Sequence, residues 1–282
     1  MSRLPFEDPR TEQVLDQAED ALDRGDPDAA IQLCGQVLRE IPDHPGALFL
    51  SAEAFHDIGD YVEAENRYRR CTQITRDHPL SWSGLALSLF DQLRFDEASK
   101  TANRALRVSD ANAEAYYVRA MLRERRGDPT GAARDYRRAW RLDPERHPPP
   151  HTLTDAMVES IVTEALLALP DEIREWLRGV PILLDEWPSD DYCKAFDPPR
   201  SPAEVLFGLF EGPSLMEADF SGASVGEQLS AGLVTITLYR KNLERLAHDR
   251  ERLLDEVRVT LLHEIGHYLG LSEQDLADRG MD

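Results

Sequence analysis

The chain has 282 residues and carries 53 acidic against 32 basic side chains, a net charge of −21. That length accommodates two domains with separate cores. The charge argues against a nucleic-acid partner, which needs a basic face to meet phosphate. No run of eighteen apolar residues occurs, so no membrane-spanning helix is expected. The acidity is uneven: residues 1–150 hold 21 basic and 27 acidic side chains, and residues 151–282 hold 11 and 26. Met1-Ser2-Arg3-Leu4-Pro5-Phe6 lacks the apolar core of a signal peptide, and the cytoplasm is the expected location. Cys34, Cys71 and Cys193 show no paired spacing, so no disulfide framework is expected. Cys34 and Cys71 fall on helix faces that a small buried hydrophobe would fill.

The first half repeats every 34 residues. Gly25, Gly59, Leu93 and Gly127 form one series; Ala18, Ala52, Ala86 and Ala120 form a second; Ala30, Ala64, Ala98 and Ala132 form a third. Small residues at two fixed points of such a unit let paired antiparallel helices cross closely. The residues after each glycine, as in Gly59-Asp60-Tyr61-Val62-Glu63-Ala64, read as a turn running into a helix start. These residues resemble the tetratricopeptide repeat (TPR) family, with four repeats at about 11–44, 45–78, 79–112 and 113–146. The third lies nearest the family pattern through Trp82, Leu85, Ala86, Phe95, Ala98 and Ala105. There Leu93 replaces the turn glycine, and a local perturbation of that turn is expected. The resemblance implies an α-helical solenoid whose concave face binds a protein or peptide. On this register that face carries Leu15, Glu19, Phe49, Glu53, Ser83, Leu87, Tyr117 and Met121. The plainer alternative is a spacer in which Phe49 and Tyr117 merely cover the inner helices.

Asp143–Pro150 ends in three prolines and cannot continue a helix. A stiff linker is expected at 147–151 and a second domain over 152–282. Thr152–Leu169, with Leu153, Met157, Ile161, Leu166 and Leu169 near helical spacing, is expected either to cap the array or to open that domain. Asp171–Arg178 reads as a short helix stopped at Gly179, and Val180–Asp185 as a strand. Leu206–Gly212 is a second apolar segment, and Ser189–Ser201 and Ser214–Ala231 read as loops. Leu233–Tyr239 is the clearest strand, β-branched at Val234, Thr235, Ile236 and Thr237. Helices follow at Asn242–His248 and Arg250–Leu269, with a last turn or helix at Ser272–Arg279.

The last long helix carries His263-Glu264-Ile265-Gly266-His267, with Gly270 and Glu273 beyond it. Val257, Val259, Leu261, Leu262, Ile265 and Leu269 predict that this helix is mostly buried. Residues four apart share a helical face, so both imidazoles can reach one ion at about 2.0–2.1 Å. Glu264 lies about 100° round the helix, placed to face a water rather than the ion. A chain that turns at Gly270 can return an acidic residue to the ion: Glu273 is favoured, and Asp275 is the alternative. Imidazole and carboxylate ligands with one open position favour a single Zn2+ ion. Against this stands a packed or hydrogen-bonded histidine pair with no metal. His151 and His248 read as linker or surface residues.

The stretch from about Pro170 onward resembles a family of small bacterial zincin-like metallopeptidases. The resemblance runs through Pro181–Glu186, Leu206–Gly212, Ile236–Arg240 and, most specifically, Val259–Gly270. It implies a compact α+β domain with a twisted sheet beside an active-site helix. It further implies zinc held by His263, His267 and Glu273, with Glu264 as general base in peptide-bond hydrolysis. Metzincins generally place His or Asp at the third-ligand position and follow it with a methionine turn, for which only Met281 is available here. That departure motivates the alternative of a non-catalytic TPR adaptor with a degenerate second domain. The strand ending at Tyr239 is expected to be the edge on which an extended peptide pairs, with Tyr239 either packed or assisting the oxyanion.

Overall fold

Helix starts in the first half are written into the sequence as caps. The computed structural model describes residues 8–169, 171–195, 201–202, 208–212, 234–246, 250–272 and 274–275. Eight helices fill the array: α1 (Pro9–Asp23), α2 (Pro27–Glu40), α3 (Pro45–Asp57), α4 (Tyr61–Ile74), α5 (Pro79–Asp91), α6 (Phe95–Val108), α7 (Ala113–Arg125) and α8 (Pro129–Leu142). Five of them begin on proline, whose missing N–H costs nothing in a first turn. Asp26, Asp60 and Asp128 accept the backbone N–H of the third residue of α2, α4 and α8, and His44, His78 and Asn112 do the same for the first helices of the later repeats.

Both alanine series are buried throughout, which lets each helix pair close tightly. At Gly84 the approach is closer still: an added Cβ would lie 2.3 Å from Tyr68 Cζ. The turns between paired helices share one geometry. Gly25, Gly59 and Gly127 have φ of 72°, 78° and 72°, the left-handed region that glycine enters freely. Leu93 follows them at φ 63° and makes the same bonds: Leu93 N–H donates to Phe90 O and Arg94 N–H to Leu89 O, both at 2.9 Å. The expected perturbation is therefore absent. The turn is kept at the cost of a strained leucine.

The chain divides into two compact units, Met1–Pro149 and Pro150–Asp282. In the second unit α9 (Asp155–Leu167) is followed by α10 (Asp171–Trp176), β1 (Ile182–Asp185), α11 (Asp190–Lys194), β2 (Gly208–Glu211), β3 (Thr235–Tyr239), α12 (Arg240–Leu246) and α13 (Arg250–Tyr268). One core joins Ile161 and Ala165 of α9, Ile236 and Leu238 of β3, and Val257, Leu261 and Ile265 of α13. Helix α9 thus opens the second unit. Its entry is tied by buried polar groups of α12: Glu244 Oε1 accepts Leu153 N–H at 2.8 Å, and Glu244 O accepts His151 N–H at 3.0 Å. The segment expected as one loop from Ser189 holds α11, capped by the Ser189 hydroxyl.

The sheet order is β1-β3-β2, with β1 parallel and β2 antiparallel to β3. This corrects the expectation for the strand ending at Tyr239. A β-branched run reads alike at a sheet's centre and at its edge, and here β3 is paired on both sides. Strand β2, with β3 as its partner among the described residues, lies beside α13. The expected loop Ser214–Ala231 lies outside the described residues. Among the described residues no helix is long and apolar enough to cross a membrane.

Candidate metal centre

Helix α13 is buried along one stripe, formed by Leu253, Val257, Leu261, Ile265 and Tyr268. Of the apolar residues expected to bury this helix, Val257, Leu261 and Ile265 are buried and Leu262 and Leu269 half-buried, while Val259 is 37% exposed. His263 and His267 stand half-buried at the flank of the stripe, one turn apart. Glu264 belongs to the buried side, beside Thr260, and is 7% exposed.

The two imidazoles converge. Their Nε2 atoms are 3.1 Å apart, with ring centroids at 4.7 Å and planes at 81°. For Zn–N distances of about 2.0–2.1 Å, a 3.1 Å chord corresponds to an N–Zn–N angle of roughly 95–102°, near the tetrahedral value. The pair therefore fits a zinc ion. The same separation also suits a histidine–histidine hydrogen bond. Among the described residues no group of three His, Cys, Asp or Glu is arranged to hold a metal. Glu273, the favoured third ligand, lies outside the described residues. Asp275, the alternative, is exposed and acts as a cap: its Oδ2 accepts the Ser272 N–H at 3.0 Å and the Ser272 hydroxyl at 2.5 Å.

Glu264 has a partner that sequence reasoning missed. Its Oε2 accepts the backbone N–H of Phe210 on β2 at 2.6 Å, bridging 54 residues of sequence. The carboxylate is thus oriented by strand β2 as well as by its helix. Gly208 makes the approach feasible, because a Cβ there would lie 2.6 Å from Thr260 Cγ2 and 3.3 Å from Glu264 Cγ. A glycine inside an apolar strand pattern was the available signal. Phe210 also packs its ring on Tyr268, at 5.5 Å between centroids. Tyr239 is buried, and burial first, then the carboxylate of Glu211, holds its phenol well above the usual range. It packs in the central strand.

In the array, Ser83 and Met121 prove buried and cannot meet a ligand, a correction to the expected concave face. Tertiary packing of neighbouring repeats covers them, which a helical register alone does not reveal. Phe49 packs edge-on against Tyr68 and His78, and Tyr117 against Tyr136 at 5.2 Å. Both rings remain half-buried. Glu53 is pushed up to about 7 by burial first, then by Glu114, with Arg146 opposing and Asp57 and Glu19 adding. Carboxylates from α1, α3 and α7 thus share one field.

Comparison with known families assigns both halves. Residues 177–281 match the zincin-like metallopeptidase model, and two tetratricopeptide repeat models match residues 21–87 and 83–147. The chain carries N-terminal TPR repeats, folded as helix pairs that pack in sequence, and a C-terminal zincin-like metallopeptidase domain. A TPR repeat-containing protein of Methanocaldococcus jannaschii is 27% identical over 77 residues, covering 27% of this chain and 14% of that relative. A thermophilic TPR protein of Thermus thermophilus is 18% identical with a TM-score of 0.44, over 60% of this chain and 96% of that one. MamA of Desulfovibrio magneticus RS-1 is 19% identical with a TM-score of 0.42, over 49% and 78%.

Proposed function

We propose that this union of TPR repeats (21–147) with a zincin-like metallopeptidase domain (177–281) is a zinc-dependent peptidase acting on a protein or peptide that the repeats recruit. The observation that carries the reading is the convergence of His263 and His267 Nε2 atoms to 3.1 Å, beside a buried carboxylate. His263, His267 and Glu273 would hold one zinc ion, which when bound supplies Lewis-acid polarisation of water and of a peptide carbonyl. Glu264 takes the proton from the attacking water and delivers it to the departing amide nitrogen. The shared field of Glu19, Glu53, Asp57 and Glu114 suits a recruited segment that is cationic.

Metal analysis of the purified full chain, with a peptide-hydrolysis assay, tests the reading. Wild type is expected to hold one zinc per chain, and His263→Ala with His267→Ala to lose it. Glu264→Gln is expected to keep the zinc while hydrolysis falls by about 10²–10⁴-fold. Glu273→Ala is expected to weaken zinc retention. A wild-type chain with no stoichiometric zinc would end the proposal.

One observation favours a second reading. The Phe210–Glu264 bond also serves to tie α13 to β2, the role expected of Glu264 in a non-catalytic adaptor. In that case Glu264→Gln lowers the melting temperature of the second unit, and the wild-type protein cleaves nothing that residues 1–147 retain.

A further inference from the structure

The fourth repeat is the basic part of an acidic chain. Residues 113–146 hold nine arginines against six carboxylates. Arg134, Arg137, Arg138 and Arg141 follow one another along α8 at the i, i+3, i+4, i+7 spacing of a single helical face, and all four are exposed. Several arginines outside α8 are neutralised: Arg67 pairs with Glu63, Arg94 with Glu65 and Glu97, and Arg126 with Asp96. The 34-residue period sharpens the contrast. Arg69 and Arg70 of α4 hold the positions that Arg137 and Arg138 take two repeats later, and both are paired, with Glu65 and with Asp43. On α8, Arg137 donates to the carbonyl of Ala133 and Arg138 reaches that of Asp110. Among the described residues none of the four has a carboxylate partner.

These guanidiniums line an open cavity of about 520 Å3, floored by Tyr116 and Arg119 of α7. Its one carboxylate, Asp135, is already held by Arg119 at 2.7 and 2.8 Å and by Arg123 at 3.0 Å. It does not offset the arginine row. The Tyr116 ring supports two of the cations, with Arg119 and Arg138 at 5.1 and 5.8 Å from its centroid. Trp140, between Arg137 and Arg141 in sequence, leaves 45% of its surface exposed, and exposed Trp beside Arg is the composition of protein-binding hot spots.

We propose that this face of α8 is a binding surface for a short acidic peptide segment, separate from the concave face and independent of the zinc reading. The cations are strung along about 10 Å of helix rather than gathered at a point, so their match is a row of carboxylates, each taken by a planar guanidinium fork. A single phosphate would engage only part of the row. A long polyanion would run onto like charge at both helix ends, where Asp128 caps the start and Asp143 the finish.

Anisotropy of a fluorescein-labelled hexaglutamate peptide, titrated with the full chain at about 50 and 200 mM salt, tests this. Saturable binding that weakens with salt is expected, and Arg134→Gln with Arg138→Gln should weaken it about tenfold. Arg10→Gln with Arg24→Gln removes the same charge from exposed positions at α1 and should change binding less than about twofold. Thermal melts of both double variants should match wild type, because all four side chains are exposed. Equal binding by the two variants overturns the proposal, as does absence of saturation at the lower salt. So does tighter binding of inorganic pyrophosphate or of a short oligothymidylate, or a sedimentation result in which a second copy of this chain excludes the peptide.

Discussion

The repeat array and the second unit bury their cores by different means. The array reuses one local set of contacts, with alanine against alanine at a fixed step and each helix packed on its sequence neighbours. The second unit depends on pairs far apart in sequence: Leu153 with Glu244 across 91 residues, Phe210 with Glu264 across 54. Local, repeated contacts make stability a sum of similar parts. Non-local polar pairs concentrate it in a few irreplaceable groups. Substitutions confined to one unit should therefore behave differently from those in the other.

The sharpest break is expected at Glu244. Glu244→Ala removes the acceptor for the Leu153 N–H and the partner of Lys241 inside the second unit, and should cost about 3 kcal/mol there. Denaturation followed by circular dichroism should show that unit's transition displaced and the array's unchanged. Gly84→Ala forces a methyl into the Tyr68 ring and should cost the array about 2 kcal/mol while zinc content stays at the wild-type level. Leu93→Gly acts in the opposite direction. It relieves a left-handed leucine and should stabilise the array by about 1 kcal/mol, raising its midpoint.

The smallest effect is electrostatic. Burial raises Glu53 from its ordinary 4.5 to about 7, so the folded state holds that proton more tightly than the unfolded chain. Its favourable contribution is complete below about pH 4.5 and is lost as pH rises through 7. Glu53→Gln should therefore melt above wild type at pH 8, by about 2 °C, with the advantage gone near pH 4.5. Melts of the two proteins across that range check the sign.

The array was legible in the sequence because its information is local. A 34-residue step names the helix pairs, and alanine at two points of the step names their crossings. The burial of Ser83 and Met121 was not legible, since neighbouring repeats decide it. In the second unit the histidine pair was legible because four residues make one helical turn, and the neighbouring glutamate because its position on the helix follows from theirs. Its amide partner was not, because nothing in residues 259–270 points to residue 210. The central position of the strand ending at Tyr239 is not legible either, because composition fixes strandness and not neighbours. The same physics explains both outcomes: sequence spacing determines which side chains share a face, and tertiary pairing determines what that face meets.

The leucine at position 93 has a consequence for how the array breathes. Solenoids usually fray from their ends, where a repeat has only one neighbour. A turn held in a backbone region that its side chain disfavours lowers the cost of opening at an interior joint, between α5 and α6. That joint therefore opens at lower cost than its glycine-turned counterparts, and slow exchange of amide protons should pass through Leu93 and Arg94 sooner than through Gly59 and Asp60.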